Sequence, residues 1–95
     1  MSPAPASAPS LAEVKEVLRA VIEENAGIPA GSIRDDSAID GDLAMDSLSF
    51  LNVQTAVEEH FEIACDALEL ETRNRFDAIA DYVLEQLEAR ARSSA

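Results

Sequence analysis

Apolar residues recur at helical spacing in successive segments of this chain, and no segment shows the period-two alternation that would compete as a strand. Leu11, Val14, Leu18, Val21 and Ile22 form the first such stripe. Ser10 stands before it as an N-cap with Glu13 three residues on, the spacing of a capping box. Gly27 and Pro29 close it, because Gly accepts the left-handed cap conformation and Pro cannot continue the hydrogen-bond ladder. A second stripe, Phe50, Val53, Val57 and Phe61, predicts a helix opened by Asp46 or Ser47 and running to about His60. Asp66 is placed to cap a short turn of helix carrying Ala67, Leu68 and Leu70. Asn74 is placed to cap a final helix with Phe76, Ile79, Val83 and Leu87 on one face. The expected fold is all-α: a small bundle of three main helices plus one short helix.

At 95 residues the chain fits one domain, too small to enclose a deep active site. Residues 1–10 hold Pro3, Pro5 and Pro9 among Ala and Ser and are expected to form a disordered tail before a domain at 11–90. Residues 91–95 are expected to form a second tail. Between the first two helices, about residues 28–45, no period is sustained, and Pro29, Gly31, Gly41 and an Asp cluster mark a long loop. Ile28, Ile33, Ile39 and Leu43 recur in it and can pin it to the core, so an ordered, functional loop is expected.

The net charge of −12 argues against nucleic acid as a partner, since a phosphate backbone needs clustered Lys and Arg. Its distribution is more telling. No basic residue occurs from Asp35 to Thr72, a stretch holding eleven acids: Asp35, Asp36, Asp40, Asp42, Asp46, Glu58, Glu59, Glu62, Asp66, Glu69 and Glu71. Such a run is either a solvated face or a surface that steers basic protein partners toward it. No apolar run approaches a membrane span and the N-terminus lacks a signal-peptide pattern, so a cytoplasmic monomer without membrane insertion is expected. Cys65 has no partner within the chain and reads as a reduced thiol.

Ser47 is the residue with chemical potential, though a serine at a helix start is ordinarily a cap. Nucleophilic catalysis is excluded by spacing. His60 is the one histidine, and thirteen residues at about 1.5 Å each place it roughly 20 Å along the same helix. No Gly-x-Ser-x-Gly elbow is present. Asp36, Asp40, Gly41 and Asp42 suggest a calcium loop, but Ala38 and Ser47 fall where an oxygen ligand and a bidentate Glu are required. One His and one Cys supply no metal set, so no metal is expected.

The segment Leu43-Ala44-Met45-Asp46-Ser47-Leu48 closes an acidic loop, opens an amphipathic helix and is followed by Val57-Glu58-Glu59-His60-Phe61-Glu62-Ile63. With Phe76-Asp77-Ala78-Ile79-Ala80-Asp81-Tyr82-Val83, these residues resemble the acyl carrier protein family over roughly residues 11 to 88. The resemblance implies a non-catalytic carrier with 4′-phosphopantetheine joined to Ser47 and with Asp46 and Leu48 as the flanking motif. It implies a phosphopantetheinyl transferase as partner, then acyltransferase, ketosynthase or acyl/aminoacyl ligase type enzymes. These would dock on Leu48, Leu51, Asn52, Thr55, Glu58 and Glu59. Ser49, Asn52 and Thr55 depart from the acids and apolar residue usual in fatty-acid carriers, and Arg73 and Arg75 are also unusual, which favours polyketide or another specialised pathway. A peptidyl or aminoacyl carrier is the nearest alternative, although Leu43-Ala44-Met45 replaces the glycines usual there. An unmodified acidic helical module that binds basic proteins is the alternative of another class.

Overall fold

The computed structural model describes residues 9–93. Its elements are α1 (Leu11–Ala26), a 3-10 turn (Ala30–Ser32), α2 (Ser47–Phe61), α3 (Ala67–Thr72) and α4 (Phe76–Ser93). The anticipated capping box opens α1: Ser10 Oγ accepts from the Glu13 N–H at 3.2 Å and Glu13 Oε1 accepts from the Ser10 N–H at 2.8 Å. Gly27 closes it in the left-handed conformation at φ 73°. Of the expected tails, residues 1–8 and 94–95 lie outside the described residues, while 91 to 93 continue α4.

α1 packs against both α2 and α4. Val14, Leu18 and Ile22 meet Val53, Val57, Phe76 and Val83 in one core cluster, where Val14 and Phe76 are wholly excluded from solvent. Burial of each Leu, Ile or Phe there contributes about 1.5–3 kcal/mol before entropy is counted. Phe50 and Phe61, the two ends of the α2 stripe, are only half-buried against this core. The four anticipated α4 positions are all buried, and Ala80 and Tyr82 join them.

The loop before α2 is ordered by two devices. Ile33, Ile39 and Leu43 are buried as expected, with Ile28 partly so. Charge supplies the second: Asp35 accepts from Lys15 Nζ at 3.0 Å and from Arg19 Nη2 at 2.8 Å, while Arg19 Nε donates to the Ile33 carbonyl at 2.9 Å. The guanidinium of Arg19 also lies 4.5 Å from the centre of the Phe76 ring.

Asn74 does not cap α4. The loop backbone does that instead: the Phe76 and Asp77 N–H groups donate to the carbonyls of Ser37 and Asp35, both at 2.9 Å, and Ala38 forms an isolated antiparallel bridge with Arg75. These bonds satisfy orphan donors of the first turn, which frees the Asn74 side chain for the loop. Its Nδ2 donates to Asp40 Oδ1 at 2.7 Å and its Oδ1 accepts from the Asp40 N–H at 3.1 Å.

Candidate functional site

Asp46 is the N-cap of α2 and Ser47 is its first helical residue. Asp46 Oδ1 accepts from the Ser49 N–H at 2.8 Å, and that bond holds the Asp46 carboxyl below its ordinary value. The expectation that Ser47 could itself act as a cap is thereby resolved in favour of Asp46. Ser47 is left exposed, at the positive end of the helix dipole and beside an ionised carboxylate. His60 lies in the last turn of the same helix.

Ser47 stands on the rim of a cleft of about 490 Å³ between α2, α3 and the loop. Ile39, Met45, Phe50 and Leu70 contribute apolar surface to it. Asp40, Asp46, Glu71, Gln54 and Asn74 contribute polar groups, and no Lys or Arg lines it. Behind the cleft lies a core cavity of about 20 Å³ lined by Leu18, Ile22, Val53, Val57, Phe76 and Val83 among others, and Ile39, Met45, Phe50, Gln54 and Leu70 line both spaces.

The expected docking residues fall into two groups. Leu48 and Leu51 are 67% and 54% exposed, and Asn52, Thr55 and Glu59 are exposed with them. At i, i+3/i+4, i+7 and i+11 they share one face. Thr55 Oγ1 is turned back to the Leu51 carbonyl at 3.0 Å. Glu58 is different: it is half-buried, and its Oε2 accepts from the Cys65 N–H at 2.8 Å. Leu68 on α3, 71% exposed, is a third exposed large apolar residue and was not anticipated as a docking residue. A six-residue helix buries one stripe only, and Leu70 takes it, which is the signal that leaves Leu68 outside.

Ion pairs are distributed away from this face. Arg73 pairs with Glu69 and Glu85 and lies over the Tyr82 ring, Arg75 pairs with Asp77, and Arg90 with Glu62. Arg34 pairs with Asp36. Among the described residues no ion pair reaches Asp40, Asp42, Asp46, Glu59 or Glu71, so the charge around Ser47 is not locally neutralised. Among them, too, no His, Cys, Asp and Glu group is arranged to hold a metal, and no helix is long and apolar enough to cross a membrane.

An exposed serine thus opens the second helix of a four-helix acidic domain, beside a cleft. Residues 16–83 match the family model of the phosphopantetheine attachment site. The chain is also 32% identical over 71 residues to an acyl carrier protein of Acidothermus cellulolyticus, covering 75% of this chain and 84% of that protein. The chain belongs to the acyl carrier protein family. Members of that family are non-catalytic carriers with covalently attached 4′-phosphopantetheine.

Proposed function

We propose that Ser47 is the residue that bears 4′-phosphopantetheine and that the chain is a monomeric cytoplasmic carrier serving polyketide assembly or another specialised pathway. The observation that carries this reading is the placement of an exposed Ser47 hydroxyl on a helix start at the rim of a cleft, inside the matched segment. The residues fit the group. Ser47 Oγ is open to an external enzyme, which supplies the base: Oγ loses its proton and forms the phosphodiester as the nucleotide part of coenzyme A leaves. Asp46 fixes the helix start, so the oxygen is presented at one position, and the dipole offsets the like charge that Asp46 sets beside the phosphate. Once attached, the arm supplies a terminal thiol that holds an acyl group as a thioester.

Leu48, Leu51, Asn52, Thr55 and Glu59, joined by Leu68, form the docking face in this reading, for the transferase and then for acyl-handling enzymes. Apolar anchors stand at its centre and charge at its rim. The neutral Asn52 and Thr55 on this face support a pathway other than primary fatty acid synthesis. Incubation with coenzyme A and a broad-specificity phosphopantetheinyl transferase, read by intact mass, tests the proposal. The chain should gain one adduct and Ser47→Ala none. Because Asp46 rather than Ser47 caps α2, Ser47→Ala should change stability by no more than about 0.5 kcal/mol. An adduct on Ser47→Ala, or none on the wild type, refutes the assignment.

A further inference from the structure

Asn74 makes three hydrogen bonds to two consecutive residues of the loop that leads to Ser47. Its Nδ2 donates to Asp40 Oδ1 at 2.7 Å, its Oδ1 accepts from the Asp40 N–H at 3.1 Å, and its carbonyl accepts from the Ile39 N–H at 3.3 Å. The Ile39 carbonyl accepts in turn from the Met45 N–H at 3.1 Å. Met45 adjoins Asp46, the N-cap of α2, and Ser47 follows. A run of hydrogen bonds therefore reaches from the connection between α3 and α4 to the residue beside the cap. Between Ile39 and Met45 stands Ala44, with φ of 50°.

We propose that Asn74, through its reciprocal pair with Asp40, is a positioning residue for the modification of Ser47. The inference rests on the carrier reading of Ser47. An alanine in the left-handed region is disfavoured about five- to thirtyfold against its ordinary conformations, and it stays there only where the surroundings over-determine it. The bonds on either side of Ala44 do so. Leu43, itself buried, donates its N–H to the Ala38 carbonyl at 3.0 Å, and Met45 donates to Ile39. The turn is also closed from within, since the Ala38 N–H donates to Asp42 Oδ2 at 2.9 Å. The pair of Asp40 with Asn74 is the side-chain tie that fixes this turn to the connection between α3 and α4.

The link to the reaction is geometric. Two bonds that close the first turn of α2 end on Asp46: the Phe50 N–H donates to its carbonyl at 2.9 Å and the Ser49 N–H to its Oδ1 at 2.8 Å. Asp46 itself has the extended backbone of a cap, with ψ of 175°, so its place is set by the chain before it. Freeing residues 39–45 from Asn74 lets Asp46 shift and spreads the positions that Ser47 Oγ takes before the phosphorus it must attack. A misplacement of about 1 Å at a reacting atom can cost a hundredfold in rate. Asn74 hydrogen-bonds neither Asp46 nor Ser47, so it acts through the loop. Leu48 and Leu51, farther along α2, keep their exposure, and binding of the transferase is left intact.

The test measures kcat and KM for a broad-specificity phosphopantetheinyl transferase with coenzyme A, the full-length chain being the varied substrate, and hydrogen exchange at the Met45 amide. Both are run where circular dichroism shows every variant folded. Asn74→Ala should lower kcat about three- to tenfold, leave KM within about twofold, and speed Met45 exchange by a factor similar to that in kcat. Asn74→Asp opposes two carboxylates and should do at least as much. Asp40→Asn combined with Asn74→Asp exchanges the two roles: the new amide donates where the carboxylate accepted, and the net charge stays at −12. That double variant should recover most of the wild-type kcat and exchange protection, which a general loss of stability or a change of charge would not explain. Unchanged kcat and exchange in Asn74→Ala overturn the inference. A loss confined to KM marks direct contact with the transferase and overturns it too, as does a double variant no better than Asn74→Asp alone. A wild type that gains no adduct overturns the carrier reading and this inference together, whereas a modified wild type with unaffected Asn74 variants overturns this inference alone.

Discussion

Glu58 Oε2 accepts the Cys65 backbone N–H at 2.8 Å, and Gln54, one turn earlier on α2, donates to the carbonyl of the same residue. Two side chains of one helix thus satisfy both polar groups of the Cys65 backbone and fix the connection between α2 and α3. The Tyr82 hydroxyl adds a third tie by accepting the Asp66 N–H at 2.8 Å. The wall of the cleft is therefore set by α2 and α4 jointly, although α3 itself has only six residues.

The first prediction concerns this clamp. Glu58→Ala strands the half-buried Cys65 N–H and should destabilise the fold by about 1–2 kcal/mol, as loss of a charged acceptor does. Glu59→Ala, with an exposed side chain, should fall within about 0.5 kcal/mol of the wild type. Urea denaturation read by circular dichroism separates the two. Equal midpoints for both variants would show that the Glu58 contact contributes nothing net.

Backbone conformation gives the second. Ala44 and Glu62 have φ of 50° and 57°, in the left-handed region where a Cβ crowds the following carbonyl. Glu62 is the C-cap of α2, a position at which glycine is usual. Ala44→Gly and Glu62→Gly should each stabilise the fold by up to about 1 kcal/mol, with the larger unfolded-state entropy of glycine setting the ceiling. The Glu62 change also removes a 3.5 Å contact to Arg90, but that pair is exposed. A lower melting temperature for Ala44→Gly would mean that its conformation costs less than the entropy glycine adds.

The pH dependence should have two limbs. Hydrogen bonds from Lys15 and Arg19 hold Asp35, and the Ser49 N–H holds Asp46, below the ordinary value of 3.8. These carboxyls bind protons more weakly when folded, so their contribution is complete above pH 3.8 and is lost as pH falls through the lower folded values. Repulsion among the unpaired acids acts the other way and is relieved on approach to the pI of 4.2. The melting temperature should accordingly rise from pH 7 toward about 5 and drop below about 3.8. Magnesium at pH 7 should reproduce part of the rise, and a flat response to salt would exclude repulsion as its cause. At the alkaline end, burial first and the Glu58 charge second push the Cys65 thiol up from 9.0 to about 11. The folded state then holds that proton more tightly. Its contribution is complete below pH 9.0 and disappears as pH rises through about 11, a limb that Cys65→Ala should abolish.

Helix order, the capping box of α1, the Gly27 terminus and the buried faces of α1 and α4 were legible because each follows from local spacing and cap chemistry. The role of Asn74 was not. A side-chain cap and a side-chain bond to a distant loop look alike in sequence, and what decides between them is the pairing of Ala38 with Arg75, a contact across 37 positions. The bond of Glu58 to Cys65 was not legible for a related reason: in an acidic run every carboxylate looks solvated, and its partner is a backbone N–H that carries no sequence signal. Ser47, Leu48 and Leu51 were legible as exposed because the opposite stripe of α2 was already claimed by Val53 and Val57.

That division of α2 supports the last prediction, on the proposed docking face. Leu48, Leu51 and Leu68 are exposed and apolar and are the proposed anchors, and the exposed Glu59 is the proposed rim charge. Glu59→Lys should slow modification by the transferase and weaken the salt dependence of the remaining rate, because rim charges act on encounter. Leu48→Ala, Leu51→Ala and Leu68→Ala should leave encounter intact and shorten the lifetime of the complex, by a factor equivalent to about 1–2 kcal/mol for a well-buried anchor. Glu58 is unsuited to this test, since its removal disturbs the α2–α3 connection. Glu16→Lys on α1 serves as the control: it makes the same change in net charge on an exposed position outside the proposed face. Stopped-flow association at two salt concentrations, with folding of every variant confirmed by circular dichroism, gives both rates. If Glu16→Lys slows association as much as Glu59→Lys, the partner responds to overall charge and the α2 face is not the docking surface. If the three leucine variants dissociate at the wild-type rate, the apolar patch has no part in the complex.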